Sequence, residues 1–409
     1  METSRKNVFA LAACQALLVT NNVMMISIGT LAADTLARNK LFVTVPATAY
    51  IIGGGLATLP VSMLMKRYGR RAGFILGCVF GMVGAALATA AMSVHSFGLL
   101  CVAALVAGVY TGSGGFYRFA AADATSPDFR SKAISLVLAG GIVGGIFGPE
   151  SSKLTKDLLD VTFLGSFLSL IVLALVAMLI LMRLDLPLPS HEERHGSTRS
   201  LASIMGQPAF IVAVLGSITA YGVMNLLMAA APLAMQMCAH PYNAAVLVIE
   251  WHIIAMYAPA FVTGRLIARF GVLPIMFAGV MLMLAAVAVA VSSISVVAFW
   301  MSMVLVGVAW CFLFVGGTTL LTECYTPAEK AKTQGINDLL IYVTMGTTSL
   351  SSGAILYKHG WSMLNYSALP LLTVTAVAIL WLAVLRRPAA GPPHPRRADT
   401  LPTKSADCG

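Results

Sequence analysis

The stretch KRYGRRAG, residues 66–73, separates two long apolar segments, and ARFGVLP, residues 268–274, separates two others much later in the chain. Arg67 and Gly69 of the first stretch match Arg269 and Gly271 of the second. A stretch that returns at the same kind of boundary indicates an internal repeat.

A second pair of segments repeats in nearly the same register. DATSPDFRSK begins at Asp123 and includes Arg130, and ECYTPAEKAK begins at Glu323. An acid, a proline and two cations recur at identical internal spacing in both. Agreement at two places predicts two homologous halves, each about 200 residues long.

The composition is that of an integral membrane protein. Hydrophobic residues make up 58% of the 409 residues, charged residues make up 10%, and the mean hydropathy is +0.87. A soluble domain has about 25% charged residues. Apolar segments of spanning length recur along the chain, and lipid-exposed backbone must satisfy its own hydrogen bonds, so these segments are predicted helices. The predicted spans are 8–33, 41–65, 72–94, 97–119, 133–149, 163–183, 208–236, 243–267, 272–292, 296–321, 333–356 and 363–385.

The repeat and the spans together predict an all-α membrane protein of twelve transmembrane helices in two pseudo-symmetric six-helix halves. The first half covers residues 1–184 and a polar cytoplasmic linker covers 185–205. The second half covers 206–387, and a proline-rich, disordered cytoplasmic tail covers 388–409.

The distribution of cations predicts the orientation. Twenty-one lysines and arginines, Arg118 among them, fall on the side of the two termini, against five on the other side. Both termini are therefore expected in the cytoplasm. The clusters lie between spans rather than on one basic domain, so the expected partner is membrane lipid and not nucleic acid.

Two spaced pairs in the seventh and eighth spans predict a metal site. Met224 and Met228, and then His252 and Met256, stand four residues apart, so each pair shares one helix face. Thioethers select copper(I), and imidazole also binds copper. Methionine is equally a common gap filler in apolar helices, whereas a histidine inside a span is a functional hypothesis by default.

Other polar or sulfur-bearing residues are secondary candidates. Met24, Met25, Met235, Met237 and Cys238 are candidate relay ligands, although packing is the more common role of such side chains in apolar helices. The acids Glu250 and Asp338 are candidates for proton coupling, which pH-independent uptake in energised vesicles would contradict.

The stretch SMLMKRYGRR, residues 62–71, resembles the loop signature of the major facilitator superfamily, and Gly140-x-x-x-Gly144-x-x-x-Gly148-Pro149 resembles its glycine–proline motif. Glycines four apart allow close helix approach, and the Pro149 ring removes a backbone hydrogen bond so that the span can bend. The resemblance departs at Ser62, where the family usually has glycine, and at Lys66, where it usually has aspartate. It implies secondary transport by alternating access, with substrate bound between the halves.

The pairs Met224/Met228 and His252/Met256 are also similar to those of the CcoA-type copper importers, a branch of that superfamily in bacterial inner membranes. The resemblance implies import of copper for haem-copper oxidase assembly. Copper is then the transported substrate rather than a permanent cofactor, and periplasmic or cytoplasmic copper chaperones are candidate partners. A sister group with similar sequences is associated with riboflavin.

Three alternatives stay open beside copper import. The first is an importer of an organic cofactor such as riboflavin, in which Tyr257, Trp251 and Trp310 stack on the ring. The second is a drug-type exporter, and the third is a copper-holding sensor or assembly factor. The sequence has no catalytic set and no phosphate-binding loop, so we do not expect an enzyme.

Overall fold

The computed structural model describes residues 2–38 and 42–386, and the secondary structure of these residues consists of helices. The predicted tail over 388–409 lies outside these residues, and the boundaries of the two halves and the linker stay predictions. The helices are α1 (Glu2–Leu36), α2 (Val45–Tyr68), α3 (Arg70–Ser93), α4 (Phe97–Gly114), α5 (Tyr117–Asp123), α6 (Arg130–Ala139), α7 (Gly141–Thr155), α8 (Leu164–Met182), α9 (His191–His195), α10 (Leu201–Met205), α11 (Pro208–Met237), α12 (Tyr242–Tyr257), α13 (Ala260–Phe270), α14 (Val272–Ser292), α15 (Val296–Leu321), α16 (Lys330–Tyr366) and α17 (Leu369–Leu385).

Within the described residues, eleven helical stretches are long and apolar enough to cross a membrane. The last of them, Pro327–Leu385, has 59 residues and is interrupted at Gly360, which has a φ of +80°. One crossing takes about 20 residues, so this stretch is long enough to cross twice. The predicted all-α class is confirmed, and the eleven stretches are compatible with twelve crossings.

Three predicted single spans are interrupted helices. The fourth breaks between α4 and α5, the fifth breaks at Gly140 between α6 and α7, and the eighth breaks near Pro259 between α12 and α13. Pro149 lies inside α7, which continues through it, and the bend expected at this proline stays a prediction. Neighbouring helices can satisfy the groups that a proline frees inside a membrane helix.

The repeat is visible in the backbone itself. Gly69 ends α2 with φ and ψ of 92° and 164°, and Gly271 ends α13 with 88° and 164°. Only glycine adopts such a positive φ at little cost. The segments Pro127–Phe129 and Pro327–Glu329 both form one turn of 3-10 helix. The two halves thus share local geometry at these two glycines and at these two 3-10 turns.

The glycine stripe of the fifth span packs against α1. A Cβ on Gly140 would stand 2.1 Å from the carbonyl oxygen of Ala12, and a Cβ on Gly144 would stand 2.5 Å from that of Ala16. A Cβ on Gly148 would stand 2.8 Å from Val23. Each distance is too short for a side chain, so the stripe sets how closely α1 and α7 approach.

The halves close on the side of the membrane that carries Arg5 and Arg386, which we name the terminal side. Ser62 donates a hydrogen bond of 2.6 Å to the Ala331 carbonyl, and the Lys66 ammonium donates one of 3.0 Å to the Ala328 carbonyl. The two residues that depart from the family signature therefore both bind the second half. Their partners are backbone carbonyls, so this contact needs no acid at position 66.

The signature arginine Arg70 and the acid Asp123 extend this closure. Arg70 pairs with Asp123 at 2.9 Å and donates to Gln334 at 2.6 Å, and Lys330 lies 3.3 Å from the same Asp123 carboxylate. Asp123 belongs to the first half, and Lys330 and Gln334 belong to the second. One carboxylate is thus shared by a cation from each half.

The other loop-motif residues lie on the same side with lesser roles. Arg67 and Arg269 are exposed, and each guanidinium lies 5.2 Å from the ring of the following aromatic residue. Glu323 pairs with Arg386 at 2.9 Å within the second half. Arg130 is half-buried at the start of α6.

Hydrogen bonds and ion pairs attach the linker to both halves at Asp185, Glu193 and Arg199. Asn7 donates to the Asp185 carbonyl at 2.7 Å, Arg199 pairs with Glu329 at 2.6 Å, and Glu193 pairs with Lys330 at 2.5 Å. Glu193 also completes a capping box with Ser190 at the start of α9. The linker is therefore an ordered part of the terminal side.

The contact between the halves becomes less extensive toward the opposite side. The hydrogen bonds described between them run from the terminal side up to Thr111 and Tyr342, whose oxygens are 3.3 Å apart. Further along α16, a Cβ on Gly346 or Gly353 would meet no atom within 4 Å. The space beside α16 is consequently wider on the side away from the termini, while α7 and α12 stay in contact at Gly145 and Ile253.

We expect Gly144→Ala to destabilise the protein, because the new methyl group would overlap the Ala16 carbonyl. The expected loss is about 1–3 kcal/mol of unfolding free energy, as for other overpacked contacts. The measurement is the thermal unfolding midpoint of purified protein in detergent. Gly353→Ala is the matched control, since its methyl group meets open space and should be neutral or slightly stabilising. Equal midpoints for the two variants would contradict the packing role of the stripe.

Candidate functional site

A central cavity of about 260 Å³ lies between the two halves near the middle of the spans. Helices α1, α2 and α4 to α6 contribute one wall, and α11, α12, α15 and α16 contribute the other. Its polar lining residues include Gln15, Asn22, Thr111, Arg118 and Asp338, and its aromatic lining residues are Tyr50, Tyr221, Tyr257, Phe314 and Tyr342.

Three of the four predicted metal ligands line this cavity. Met224 and Met228 reach it from α11, and Met256 reaches it from α12. Met345 of α16 also lines it, a thioether that sequence spacing did not single out. Among the described residues, no group of three or more histidine, cysteine or acidic side chains could hold a metal ion. The sulfur atoms that the described lining offers are those of these four methionines.

The fourth predicted ligand, His252, is not among the residues that line the cavity. Its side chain is fully buried, with Nδ1 2.7 Å from the Met303 carbonyl oxygen of α15. A carbonyl only accepts, so Nδ1 carries the proton and Nε2 is left as an acceptor. Nε2 has no hydrogen-bond partner among the described atoms. The imidazole thus forms a hydrogen bond that links α12 to α15.

The predicted relay residues do not line the cavity either. Met24 and Met25 are buried in the core of the first half, and Met235 is buried in the second. Met237 is 58% exposed and Cys238 is half-buried beyond the end of α11. Their positions favour packing for the first three, and a relay stays a prediction.

The cavity contains a buried ion pair between Arg118 of α5 and Asp338 of α16. The Arg118 Nη2 atom lies 2.5 Å from Asp338 Oδ1, and both side chains are almost fully buried. Arg118 was counted among the cations that set the orientation, and that assignment is wrong because its guanidinium faces the second half. Asp338 is one of the two predicted proton-coupling acids, and the other, Glu250, is exposed and does not line the cavity.

Further contacts fix the Arg118 guanidinium. Its Nε donates to Thr318 at 3.2 Å, its Nη1 donates to the Gly115 carbonyl, and it lies 4.4 Å from the Phe119 ring and 4.6 Å from the Phe314 ring. Thr318 occupies in the second half the position that Arg118 occupies in the first, at the repeat shift of 200 residues. Residues that correspond through the repeat therefore meet between the halves.

A cluster of aromatic rings forms the wall contributed by the second half. The Tyr221 ring meets Phe314 edge-on at 4.9 Å and Trp310 at 5.3 Å, and Tyr257 meets Trp310 at 5.6 Å. Trp310 stacks on Phe314 at 5.1 Å but lies behind these rings and does not line the cavity itself. Trp251 is 44% exposed and packs on Trp300 instead, so it is not the stacking residue that the sequence suggested.

A chain of hydrogen bonds crosses from the first half to the second beside these rings. The Tyr50 hydroxyl donates to Asn22 Oδ1, and Asn22 Nδ2 donates to Thr111 at 3.1 Å. Thr111 is in turn bonded to the Tyr342 hydroxyl. The cavity therefore offers flat aromatic faces together with uncharged hydrogen-bonding groups.

Comparison with known sequences places this architecture among transporters. The sequence model of a family described as the Major Facilitator Superfamily matches residues 8–249 and 213–406. The riboflavin transporter RfnT of Brucella anthropi is 36% identical over 380 residues, which are 92% of this chain and 96% of that protein. An uncharacterized MFS-type transporter of Bacillus subtilis, YddS, is 27% identical over 87% of this chain and 86% of its own length.

Solved structures support the same fold. The E. coli fucose:proton symporter FucP has a TM-score of 0.74 at 13% identity and covers 91% of this chain and 98% of its own. The proton:xylose symporter XylE has a TM-score of 0.76 at 13% identity and covers 92% and 95%. At such identities the likeness concerns the fold alone. The predicted fold of two six-helix halves is confirmed, whereas the finer resemblance to copper importers is not supported by the relative at 36% identity.

We expect Arg118→Met alone to lower the unfolding free energy by about 3–5 kcal/mol, because it leaves the buried Asp338 carboxylate without its counter-charge. The double variant Arg118→Met, Asp338→Leu should recover most of that loss, since it removes both charges. Thermal unfolding midpoints of the two variants in detergent measure the difference. A double variant as unstable as the single one would show that the pair is not the dominant interaction of Arg118.

Proposed function

This chain belongs to the Major Facilitator Superfamily, and we propose that it is a secondary transporter that imports riboflavin or a closely related neutral flavin. The observation that carries the proposal is the lining of the central cavity. Tyr221, Tyr257 and Phe314 offer aromatic surface on one wall, and Asn22 and Thr111 offer amide and hydroxyl groups on the other. Riboflavin combines a flat three-ring system with a hydroxylated chain. The aromatic wall would stack on the rings, and the amide and hydroxyl groups would form hydrogen bonds with the chain.

The charge of the cavity favours an uncharged substrate. Arg118 and Asp338 are bonded to each other, and no other Lys, Arg, Asp or Glu is among the described residues that line the cavity. A buried ion pair that keeps its partners leaves no net charge for an ionic substrate to neutralise. Aromatic stacking and neutral hydrogen bonds are then the available binding forces.

The relationship to RfnT supports the same substrate class. That protein is named a riboflavin transporter, and the match covers nearly the full length of both chains. The flavin alternative therefore replaces copper import as the main proposal. The proposed location is a bacterial inner membrane with both termini in the cytoplasm, since the cation distribution stays strongly one-sided after Arg118 is set aside.

The geometry suggests how one cycle would proceed. The terminal side is closed by the bonds of Ser62 and Lys66, so we propose that in this state the cavity accepts substrate from outside the cell. Rocking of the halves would separate Ser62 and Lys66 from the second half and open the terminal side. Asp338 remains the proposed proton-coupling group, because its bond to Arg118 joins the two halves that must move.

Copper(I) transport is the second candidate, favoured by the four thioethers of Met224, Met228, Met256 and Met345 in the same cavity. Thioethers bind copper(I) without adding buried charge. The burial of His252 against α15 weakens this candidate, because the imidazole is not available at the cavity surface. Such a site would hold copper by thioethers alone.

We expect cells that cannot synthesise riboflavin to accumulate it when they express this protein. Tyr257→Ala should raise the concentration for half-maximal uptake about 5- to 150-fold, the range for loss of one stacking partner. Trp251→Ala is the matched control, since it removes an aromatic ring outside the cavity and should leave uptake unchanged. Uptake no greater than in cells without the protein would refute the flavin proposal.

Copper accumulation should be the same in cells that express wild-type protein, Met228→Ala or His252→Ala. The reason is that flavin binding would use the aromatic wall and that His252 does not line the cavity. Total cell copper by mass spectrometry is the measurement. Met301→Ala, which removes an exposed thioether of α15, is the control. Copper accumulation that falls in Met228→Ala and His252→Ala but not in Met301→Ala would favour the second candidate.

A further inference from the structure

A second and larger cavity, of about 440 Å³, lies on the terminal side; we name it the basic cavity. Its walls come from the first half, from the second half, and from the linker segment Leu186–Ser190. The linker rests on the end of α2, since a Cβ on Gly69 would stand 3.3 Å from Pro189. Both halves and the linker therefore enclose the basic cavity together while the terminal side is closed.

Its charges are unbalanced. Four cations line it, namely Lys66, Arg70, Arg130 and Lys330, against the two carboxylates of Asp123 and Glu193. Both carboxylates are already engaged, Asp123 by Arg70 and Lys330 and Glu193 by Lys330. Two positive charges remain without a neutralising partner in the cavity.

Among the four cations of the basic cavity, Arg130 has the most N–H donors without a partner in the described residues. Within the described residues, its guanidinium has no hydrogen bond or ion pair, although it lines the cavity and is half-buried. Among the residues that the structure describes, the Lys66 ammonium bonds only to the Ala328 carbonyl. A guanidinium has five donors in a planar fork that matches a phosphate group.

We propose that the basic cavity binds a phosphate-bearing anion, with Arg130 and Lys66 of the first half and Lys330 of the second as its cationic ligands. Charge-assisted hydrogen bonds from arginine and lysine to phosphate are stronger than neutral ones. The phosphate belongs either to a soluble cytoplasmic compound or to the headgroup of an anionic lipid. Both present the same chemistry to these side chains.

Binding there holds the terminal side closed. The anion is a shared counter-ion for Lys66 and Arg130 on one half and Lys330 on the other, and rocking of the halves would pull these cations apart. A ligand that prefers one of two states shifts the population toward that state. The anion is accordingly an inhibitor that acts from the terminal side, apart from the central cavity.

The test uses the full-length protein in detergent and inorganic phosphate as the first probe. Thermal unfolding midpoints are measured against phosphate concentration, with sodium chloride added to keep ionic strength constant. We expect a saturable rise of about 1–3 °C, as mass action predicts for a ligand of the folded state. Arg130→Gln should abolish the rise, and Arg130→Lys should retain part of it. Arg67→Gln should retain all of it, because Arg67 is exposed and does not line the cavity.

A second arm separates the two sources of phosphate. Wild-type protein and Arg130→Gln are placed in nanodiscs of phosphatidylcholine with or without phosphatidylglycerol, and their midpoints are compared. A rise that needs phosphatidylglycerol and Arg130 assigns the cavity to a lipid headgroup, whereas a rise with inorganic phosphate assigns it to a soluble anion. A rise of equal size in wild type and Arg130→Gln with both probes, or no rise with either, would overturn the proposal. Neither arm uses a transported substrate, so the outcome is independent of the flavin proposal.

Discussion

The buried pair of Arg118 and Asp338 is the interaction around which the two halves are arranged. Removing a charge from water into an apolar interior costs several kcal/mol, so each residue requires the other. They come from different halves, and their pairing therefore fixes the halves against each other at the level of the central cavity. The same pairing neutralises the cavity, and this neutrality limits which substrates it suits.

The terminal side is closed mainly by hydrogen bonds to backbone carbonyls rather than by a buried ion pair. Ser62 and Lys66 bind backbone carbonyls of the second half, and Ser131 donates to the Gly264 carbonyl at 3.0 Å. Such bonds have no charge on the acceptor and lose little when water replaces the partner. An interface built in this way can open repeatedly without exposing buried unpaired ions. The ion pairs that do lie on this side, around Asp123, are closer to water.

Much of the fold could be predicted from the sequence, because hydropathy and repeated loop residues act locally. The spans follow from composition, and the matching of Gly69 with Gly271 follows from the repeat. Arg118 was misread since it stands near the end of a predicted span, where a cation usually reports topology, and only the second half reveals its partner. Spacing placed His252 on one helix face with Met256. It could not show that a carbonyl of α15 binds the Nδ1 atom of His252, or that Met256 lines the cavity and His252 does not. Tyr221, Tyr342 and Met345 carry no local signal, because their role depends on how distant helices pack.

In the capping box of α9, the two carboxylate oxygens of Glu193 bind different partners. One oxygen of Glu193 accepts from the Ser190 backbone and the other accepts from Lys330, so a single side chain both stabilises a short helix and attaches it to the second half. When Lys330 moves away, the backbone contact remains. The bond to Lys330 can therefore break while the cap at the start of α9 stays in place, and those capped residues do not have to be ordered again when the bond re-forms.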